Sequence, residues 1–353
     1  MDAVVRPPPQ RATPHPLPRN IIDAGPSIGT TIWRYRSSFG LADPDAAQAK
    51  LNLGEGGTPL VAGTGGMLPG LLLKVEFANP TLSFKDRGAA VVVAHAIEAG
   101  ADRLVCDSSG NAGTAIAAYA AHADLPCTVY VPAATSAAKM RQAEAHGAQV
   151  VRVDGDRSVA AEAAGEAVAR GDGFYASHVW QPSFLAGTKT FAFEVWEQLG
   201  RRVPDRLVLP VGNGTLVLGA WLGFEELRLA DLIEDVPPII AVQAAACAPI
   251  AAHAAGRSFT SAPTIAEGIA IPGPPRMREI ADVVIGSGGE LVTVDDDEIL
   301  AAQSQLASAG WFVEPTGAVA FAAVDRLRHR DDHHGRVVVP LCGAGLKSTG
   351  RCG

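Results

Sequence analysis

The chain has 353 residues, of which 48% are hydrophobic and 19% are charged. This composition excludes a disordered protein, and the length suits two α/β domains that share a sizeable core. A net charge of −8 without a Lys/Arg block speaks against nucleic acid or an anionic membrane as the main partner. We therefore expect a small-molecule ligand.

The N-terminal segment and the cysteines indicate the compartment. The first twenty residues lack the apolar core of a signal peptide, and no later stretch approaches the ~20 apolar residues that span a membrane. We expect residues 1–30 to form a tail that is poorly ordered or lies over the surface. The cysteines show neither disulfide nor zinc spacing, which predicts a reducing, cytoplasmic location. They are Cys106, Cys127, Cys247, Cys342 and Cys352, of which the first two lie in apolar runs typical of core thiols.

A lysine lies at the first strand-to-helix junction. The pattern predicts a hairpin turn at 63–66, a strand over 71–75 and a helix over 89–97. The connection to the helix reads Asn79-Pro80-Thr81-Leu82-Ser83-Phe84-Lys85-Asp86-Arg87-Gly88. Free backbone N–H groups and the helix dipole disfavour a charged ammonium there, so the pKa of Lys85 can be lowered and its amine can act as a nucleophile. The alternative is a surface lysine at a helix start.

A second junction carries a Ser/Gly loop. A buried strand over 103–106 and a helix over 112–121 leave a loop that reads Asp107-Ser108-Ser109-Gly110-Asn111. A loop of this kind, at the start of a helix, offers backbone N–H groups to a carboxylate or a phosphate. A plain connecting loop is the alternative.

Strands and helices then alternate along the chain. Strands are predicted over 127–132 and 150–153, with helices over 137–146 and about 158–169. Parallel sheets with helices on both faces have this order of elements.

Two later strands end in glycine loops. A strand over 206–211 precedes Gly212-Asn213-Gly214-Thr215 and a helix, and the glycines allow the backbone to approach an anion that the helix attracts. A strand over 239–243 follows, and the last strand begins at 337 and runs into Cys342 and Gly343. A nucleotide-binding Rossmann site is disfavoured, because no Gly-x-Gly-x-x-Gly follows a strand.

Other polar residues receive structural or solvated interpretations. Glu314 opens a helix packed against the sheet and is interpreted as structural. His329, His333 and His334 lie among Arg and Asp in a polar connection, which favours a solvated loop over a metal site. No bound metal is expected.

The predicted fold is α/β with two domains. Each domain is an open, mostly parallel sheet with helices on both faces. We assign 71–190 to the smaller domain, and 31–70 together with 191–353 to the larger one.

The run from Asn79 to Gly88 resembles the lysine segment of pyridoxal-phosphate enzymes of fold type II, the tryptophan-synthase-β type. Within these it is most similar to the threonine synthase-like family. The likeness extends from about 32 to 347 and includes Trp33-Arg34-Tyr35 and the turn over 55–60. It implies that pyridoxal 5'-phosphate is the cofactor, joined to Lys85 as a Schiff base. It also implies an amino-acid substrate and a homodimer.

The same resemblance implies roles for individual residues. The cofactor phosphate would lie on the glycine loop of the larger domain, the ring hydroxyl would contact Asn111, and the pyridine nitrogen would face Cys342. The implied cofactor-binding residues are Phe84, Lys85, Asn111, Val211, Gly212, Asn213, Gly214, Thr215, Glu267 and Cys342. The implied substrate-binding residues are Thr81, Ser83, Ser108, Ser109, Gly110, His178 and Phe184, and Lys85 is the catalytic residue.

Three positions depart from the threonine synthase pattern. Cys342 replaces a threonine opposite the pyridine nitrogen, and a weakly bonding thiol leaves a mild electron sink that suits elimination. Alignment on the segment 187–190 puts Phe184 where the family has a phosphate-binding arginine, a loss for which His178 or Lys189 could compensate. Leu82, where the family has glycine, would narrow the space beside Lys85. Both of these changes favour a smaller or less charged amino acid.

The predicted activity is a lyase reaction of amino-acid metabolism. Lys85 would act as the base in a β- or γ-elimination, with or without replacement. Conversion of O-phosphohomoserine to threonine is the family activity. The alternatives are a serine or threonine dehydratase, a β-replacement enzyme on a small amino acid, and a catalytically silent binding protein with the same fold.

Overall fold

The computed structural model describes residues 9–18, 21, 29–64, 66–328 and 335–347. Three predictions fall outside these residues and stay predictions. They concern the polar loop with its three histidines, the thiol of Cys352 and most of the N-terminal tail.

The strands of the described residues form two sheets, and the prediction of an α/β fold is confirmed. Their bounds are β1 (Leu60–Ala62), β2 (Leu71–Lys74), β3 (Leu104–Cys106), β4 (Cys127–Pro132), β5 (Gln149–Val153), β6 (Phe174–Tyr175), β7 (Arg206–Pro210), β8 (Ile239–Ala244), β9 (Glu290–Val294) and β10 (Val337–Pro340).

The α-helices of the described residues are α1 (Pro44–Leu51), α2 (Lys85–Glu98), α3 (Asn111–His122), α4 (Ala137–Ala145), α5 (Arg157–Ala169), α6 (Pro182–Thr188), α7 (Thr190–Gln198), α8 (Thr215–Leu229), α9 (Pro249–Ala254), α10 (Met277–Gly286), α11 (Asp296–Ser308) and α12 (Pro315–Arg328). Helices α2 to α5 fall close to their predicted bounds, whereas α1, α6, α7, α9, α10 and α11 were not predicted. Short 3₁₀ helices lie at Ile32–Ser38, Glu76–Ala78, Ala245–Cys247 and Gly345–Lys347. Helix α2 begins four residues before its prediction, so Lys85 is its first residue.

The larger sheet has six strands in the order β1-β2-β10-β7-β8-β9. Strand β1 pairs antiparallel with β2, and the other four pairings are parallel. Strands β8 and β10 are buried along their whole length, as their continuous runs of apolar residues predict for a sheet covered on both faces.

The smaller sheet has four strands in the order β5-β4-β3-β6, and its pairings are parallel. Strand β2 belongs to the larger sheet, although the predicted boundary at residue 71 put it in the smaller domain. It lies there because its apolar residues pair with β10, which the order of the chain does not reveal. The division into two domains stays a prediction.

Buried charges fix the first turn of α2. The guanidinium of Arg87 donates to Glu76 at 2.8 Å and to Glu194 at 2.7 Å, and Lys74 donates to Glu194 at 2.7 Å. The side chains of Arg87, Lys74 and Glu76 are fully buried and that of Glu194 is 4% exposed. These ion pairs connect β2, α2 and α7, and so hold the residue two positions before Arg87 in place.

Two glycines bring α6 against α2. A Cβ atom on Gly187 would lie 1.9 Å from the carbonyl oxygen of Arg87, and one on Gly88 would lie 2.5 Å from the ring of Phe184. Since no larger residue fits at either position, the two helices approach each other at backbone distance.

The described part of the tail packs on the protein body. Leu17 and Ile21 are buried, and Arg276 donates to the carbonyl oxygen of Gln10 at 2.8 Å. Cys106 and Cys127 are buried free thiols, as predicted. Within the described ranges, no helix is both long and apolar enough to cross a membrane.

Candidate active site

A cavity of about 780 Å³ lies between the two sheets. Loops after parallel strands gather at one edge of a sheet, and ligands bind outside these carboxyl edges. The loops after β3, β5 and β6 contribute one side of the cavity, and those after β7 and β10 contribute the other. The volume falls in the range of small-ligand pockets.

The amine of Lys85 lies inside this cavity. Its Nζ donates to the hydroxyl of Thr215 at 2.8 Å and lies 4.6 Å from the ring centre of Phe84. In the described part of the chain, no carboxylate forms an ion pair with it. Burial lowers the pKa of Lys85 to about 7. The charge of Arg157 also lowers this pKa, whereas the charge of Glu314 raises it. A neutral amine is therefore available near neutral pH.

The predicted glycine loop faces this amine. Gly214 has a left-handed backbone, with φ of 78°, and precedes the first residue of α8. A Cβ atom on Gly214 would lie 2.3 Å from Ile280, and one on Gly212 would lie 2.8 Å from the backbone of Ile269. Among the described residues no side chain caps the N-terminus of α8. The loop can therefore present its N–H groups and the helix dipole to an anion.

An amide and a carboxyl group form a second polar feature. The side chain of Asn111 donates to Glu314 at 2.9 Å, and burial raises the pKa of Glu314. A Cβ atom on Gly343 would lie 2.3 Å from the same carboxyl group, which explains the glycine there. Asn111 was predicted from its loop, whereas Glu314 was interpreted as structural. Both side chains line the cavity.

Cys342 lies where β10 enters the cavity. Its carbonyl oxygen accepts from the backbone N–H of Phe84 at 3.2 Å, which connects the end of β10 to the start of α2. Burial raises the pKa of Cys342 well above the usual thiol value, so the group stays a neutral thiol. A neutral thiol is a weak hydrogen-bonding partner.

His178 connects loops of the two sheets. The amide nitrogen of Asn213 lies 3.2 Å from Nε2 of His178, and an amide nitrogen can only donate, so Nε2 is unprotonated. Burial lowers the pKa of His178 well below its usual value, and the charges of Lys85 and Arg157 add to this. The imidazole is neutral and offers no positive charge to a ligand.

Several predicted site residues do line the cavity, and others do not. Those that line it are Phe84, Lys85, Ser108, Gly110, Asn111, His178, Gly212, Asn213, Gly214, Thr215 and Cys342. Those outside its lining are Thr81, Ser83, Ser109, Phe184, Val211 and Glu267.

Contacts within the protein account for most of the residues outside. Thr81 donates its hydroxyl to Asp86 at 2.6 Å. Ser83 and Phe184 are fully buried. Glu267 is exposed and pairs with Lys139, while its neighbours 268–270 line the cavity.

Leu82 is also absent from the cavity lining, so the predicted narrowing beside Lys85 is not seen. The leucine has a left-handed backbone, with φ of 64°. Glycine adopts this conformation freely, which is a physical reason for glycine at such a position.

Asp107 and Arg157 also line the cavity, although neither was assigned to the site from the sequence. Asp107 follows β3 directly, and Arg157 opens α5 after β5. The rule that carboxyl edges of parallel strands gather at one place was a usable signal for both. Arg157 belongs to no motif that the sequence analysis identified, whereas Asp107 opens the Ser/Gly loop.

Comparisons with known proteins agree with this geometry. Residues 51–343 match the family model described as pyridoxal-phosphate dependent enzyme. A threonine synthase of Methanocaldococcus jannaschii is 35% identical, covering 90% of this chain and 80% of that protein. A threonine synthase of Mycobacterium tuberculosis is 36% identical, covering 83% and 82%. The crystal structure of a threonine deaminase from T.th. has a TM-score of 0.71 at 28% identity, covering 85% of this chain and 96% of that one.

The residues of the cavity fit the cofactor that this family uses. Lys85 supplies an amine, and the loop 212–215 is an anion cradle that added Cβ atoms would fill. Asn111 and Cys342 supply an amide and a thiol in the same cavity. Matches of this extent leave one conclusion: the chain is a member of the threonine synthase-like, fold type II branch of the pyridoxal-phosphate dependent enzymes.

Proposed function

We propose that the chain is a lyase that eliminates a β or γ substituent from an α-amino acid, with Lys85 as its catalytic residue. The observation that carries this is the amine of Lys85, which lies 2.8 Å from Thr215 at the glycine loop and has a pKa of about 7. A base with this pKa is half deprotonated at neutral pH, which is the condition that general-base catalysis favours.

Pyridoxal phosphate supplies an electron sink for the bond that breaks at Cα. In our proposal the loop 212–215 binds its phosphate, and Asn111 contacts its ring hydroxyl. The thiol of Cys342 would meet the ring nitrogen as a neutral group that does not transfer a full proton to it.

The substrate lies on the side of the smaller sheet in this proposal. Ser108 and the backbone of Gly110 bind its carboxylate at the start of α3. Lys85, on the opposite side, takes the Cα proton, and the burial that lowers its pKa makes the neutral amine available for this step.

Three reactions remain candidates within this class. The identity to two threonine synthases supports elimination with replacement on a phosphorylated substrate. The thiol of Cys342, the burial of Phe184 and the structural likeness to a threonine deaminase support a dehydratase that releases ammonia. A β-replacement on a small amino acid is compatible with the same residues.

Covalent trapping tests the role of Lys85. The purified protein loaded with pyridoxal phosphate should absorb visible light, lose this absorbance on borohydride reduction, and carry the label on the peptide that contains Lys85. Lys85→Ala should bind no cofactor covalently and lose activity by about a thousandfold or more. Lys50→Ala, at an exposed position on α1, is the matched control and should behave like wild type. A label on another lysine would refute the proposal.

Product analysis separates the candidate reactions. Inorganic phosphate released from O-phosphohomoserine marks a threonine synthase, and ammonia with a 2-oxo acid from L-serine or L-threonine marks a dehydratase. Retention of cofactor without turnover of any amino acid would instead mark a silent binding protein. The homodimer and the cytoplasmic location that the family implies are part of the proposal, and sedimentation at several concentrations tests the former.

A further inference from the structure

Arg157 brings a second cation into the cavity. It lines the same space as Lys85, and its charge lowers the pKa values of both Lys85 and His178, so it acts on the centre of the cavity. Among the residues that the structure describes, the Arg157 side chain forms no ion pair within 4 Å and donates no hydrogen bond. Its fork of N–H donors is open to a ligand.

The acidic groups around the cavity do not form an ion pair with the guanidinium of Arg157 among the described residues. Asp156 accepts from the backbone N–H groups of Ser158 and Val159 as the cap of α5. Glu314 accepts from Asn111. Asp107 and Glu267 attract the guanidinium, and Glu267 also pairs with Lys139.

Phe184 occupies the position where the family resemblance puts an anion-binding arginine. Its ring is fully buried against Gly88 and outside the cavity lining, so it offers neither charge nor access to a ligand. Neither expected substitute replaces that charge, because the imidazole of His178 is neutral and Lys189 donates to Glu226 at 2.9 Å outside the cavity lining. An anionic substrate group would therefore have to bind elsewhere, and Arg157 is the cation that the smaller sheet offers to it.

We propose that Arg157 determines substrate specificity by binding an anionic group, a phosphate, sulfate or carboxylate, at the far end of the amino-acid side chain. The guanidinium fork suits bidentate contact with each of these groups. This inference rests on the proposed function, because it places the α-amino and α-carboxyl groups of the ligand near Lys85 and Ser108. The replacement of the family's arginine by Phe184 predicted a less charged substrate. Arg157 reverses this expectation, because it provides a positive charge from another element of the cavity.

Calorimetric titration of the cofactor-loaded protein tests this inference without relying on turnover. The probes are O-phospho-L-serine, L-aspartate and L-serine, which differ in the distal group. We expect wild type to bind at least one of the two anionic amino acids about tenfold more tightly than L-serine. Arg157→Gln should remove that preference and leave the affinity for L-serine and the cofactor absorbance unchanged.

Two further variants sharpen the test. Arg170→Gln, at the other end of α5 and paired with Asp172, should behave like wild type. Glu162→Gln removes a negative charge from the cavity lining and should strengthen binding of the anionic probe by about twofold.

The outcomes distinguish this inference from the proposed function. Equal affinities for charged and neutral probes in wild type, or a preference that survives Arg157→Gln, overturn the role of Arg157 while the lyase proposal stands. A protein that holds no cofactor on Lys85 overturns the lyase proposal. In that case, anion preference lost with Arg157 would still identify the residue as a ligand contact.

Discussion

Lys85 and Arg87 lie two residues apart on the first turn of α2, yet their cationic groups meet opposite surroundings. The amine of Lys85 lines the cavity and donates to the neutral hydroxyl of Thr215. The guanidinium of Arg87 is fully buried outside the cavity and donates to both Glu76 and Glu194. The same turn of helix therefore carries the amine of Lys85, which can meet a ligand, and the guanidinium of Arg87, whose hydrogen bonds all go to protein groups.

The comparison shows that partners, and not burial alone, decide whether a buried cation keeps its proton. Burial lowers the pKa of Lys85 to about 7. Burial acts on Arg87 in the same direction, but Glu194 and Glu76 hold the pKa of Arg87 well above its ordinary value. In return, Arg87 and Lys74 hold the pKa of Glu194 well below its usual range although burial alone would raise it.

Removal of Arg87 should have the largest effect on stability. Arg87→Met leaves Glu76 and Glu194 buried without their main partner, and breaking such a pair costs about 3–5 kcal/mol. Chemical denaturation followed by tryptophan fluorescence measures the loss. Arg228→Met removes an exposed pair with Glu225 and should leave the midpoint near that of wild type. Equal, small losses in both variants would show that the buried ion pairs do not stabilise α2.

The titration of Lys85 should be visible as a shift of about three pH units. In cofactor-free protein, the rate of covalent pyridoxal-phosphate attachment should rise through about pH 7, where Lys85 loses its proton, instead of near the ordinary value of 10.5. Lys85→Ala provides the blank. A rate that still rises steeply above pH 9 would show that the amine is an ordinary one.

The same titration affects stability with a definite sign. Between about pH 7 and 10.5 the unfolded chain holds a proton on Lys85 that the folded protein has lost. Since the unfolded state then binds more protons, stability of the cofactor-free protein should rise with pH across this window. Lys85→Met should flatten that rise in a series of denaturation curves.

Glu314 should matter for the cofactor more than for the fold. Glu314→Ala removes the acceptor of the Asn111 amide, and we expect cofactor affinity to fall by about tenfold. Glu314→Gln keeps an oxygen that can accept the same hydrogen bond and should stay within about twofold of wild type. Equilibrium dialysis with pyridoxal phosphate measures both. An equal loss in the two variants would assign the effect to the carboxyl charge.

Leu82→Gly should give the smallest effect. The left-handed backbone of Leu82 costs about 1–2 kcal/mol for a residue with a side chain. Glycine removes this strain but loses more entropy on folding, so a net gain of at most about 1 kcal/mol is expected. Leu82→Ala keeps the strain and is the control. A clear loss of stability in the glycine variant would show that the leucine side chain contributes packing that outweighs the strain.

Local patterns predicted most of the strands and the loops that face the cavity, but not that β2 pairs with β10 in the larger sheet. The family resemblance of the loops after β3, β7 and β10 indicated Asn111, Gly212 and Cys342, and it could do so because each loop is a run of neighbouring residues in the chain. Arg157 and Glu314 could not be identified as cavity residues in this way. Their position depends on which side of a helix start faces the opposite sheet, and this follows from packing between distant segments.

The two sides of the cavity come from loops on different sheets, with Gly212 on the larger sheet and Ser108, Arg157 and His178 on the smaller one. Duplicated genes can therefore evolve toward new substrates through substitutions in a few loops of the smaller sheet. The framework that carries most of the chemistry would be inherited without repacking.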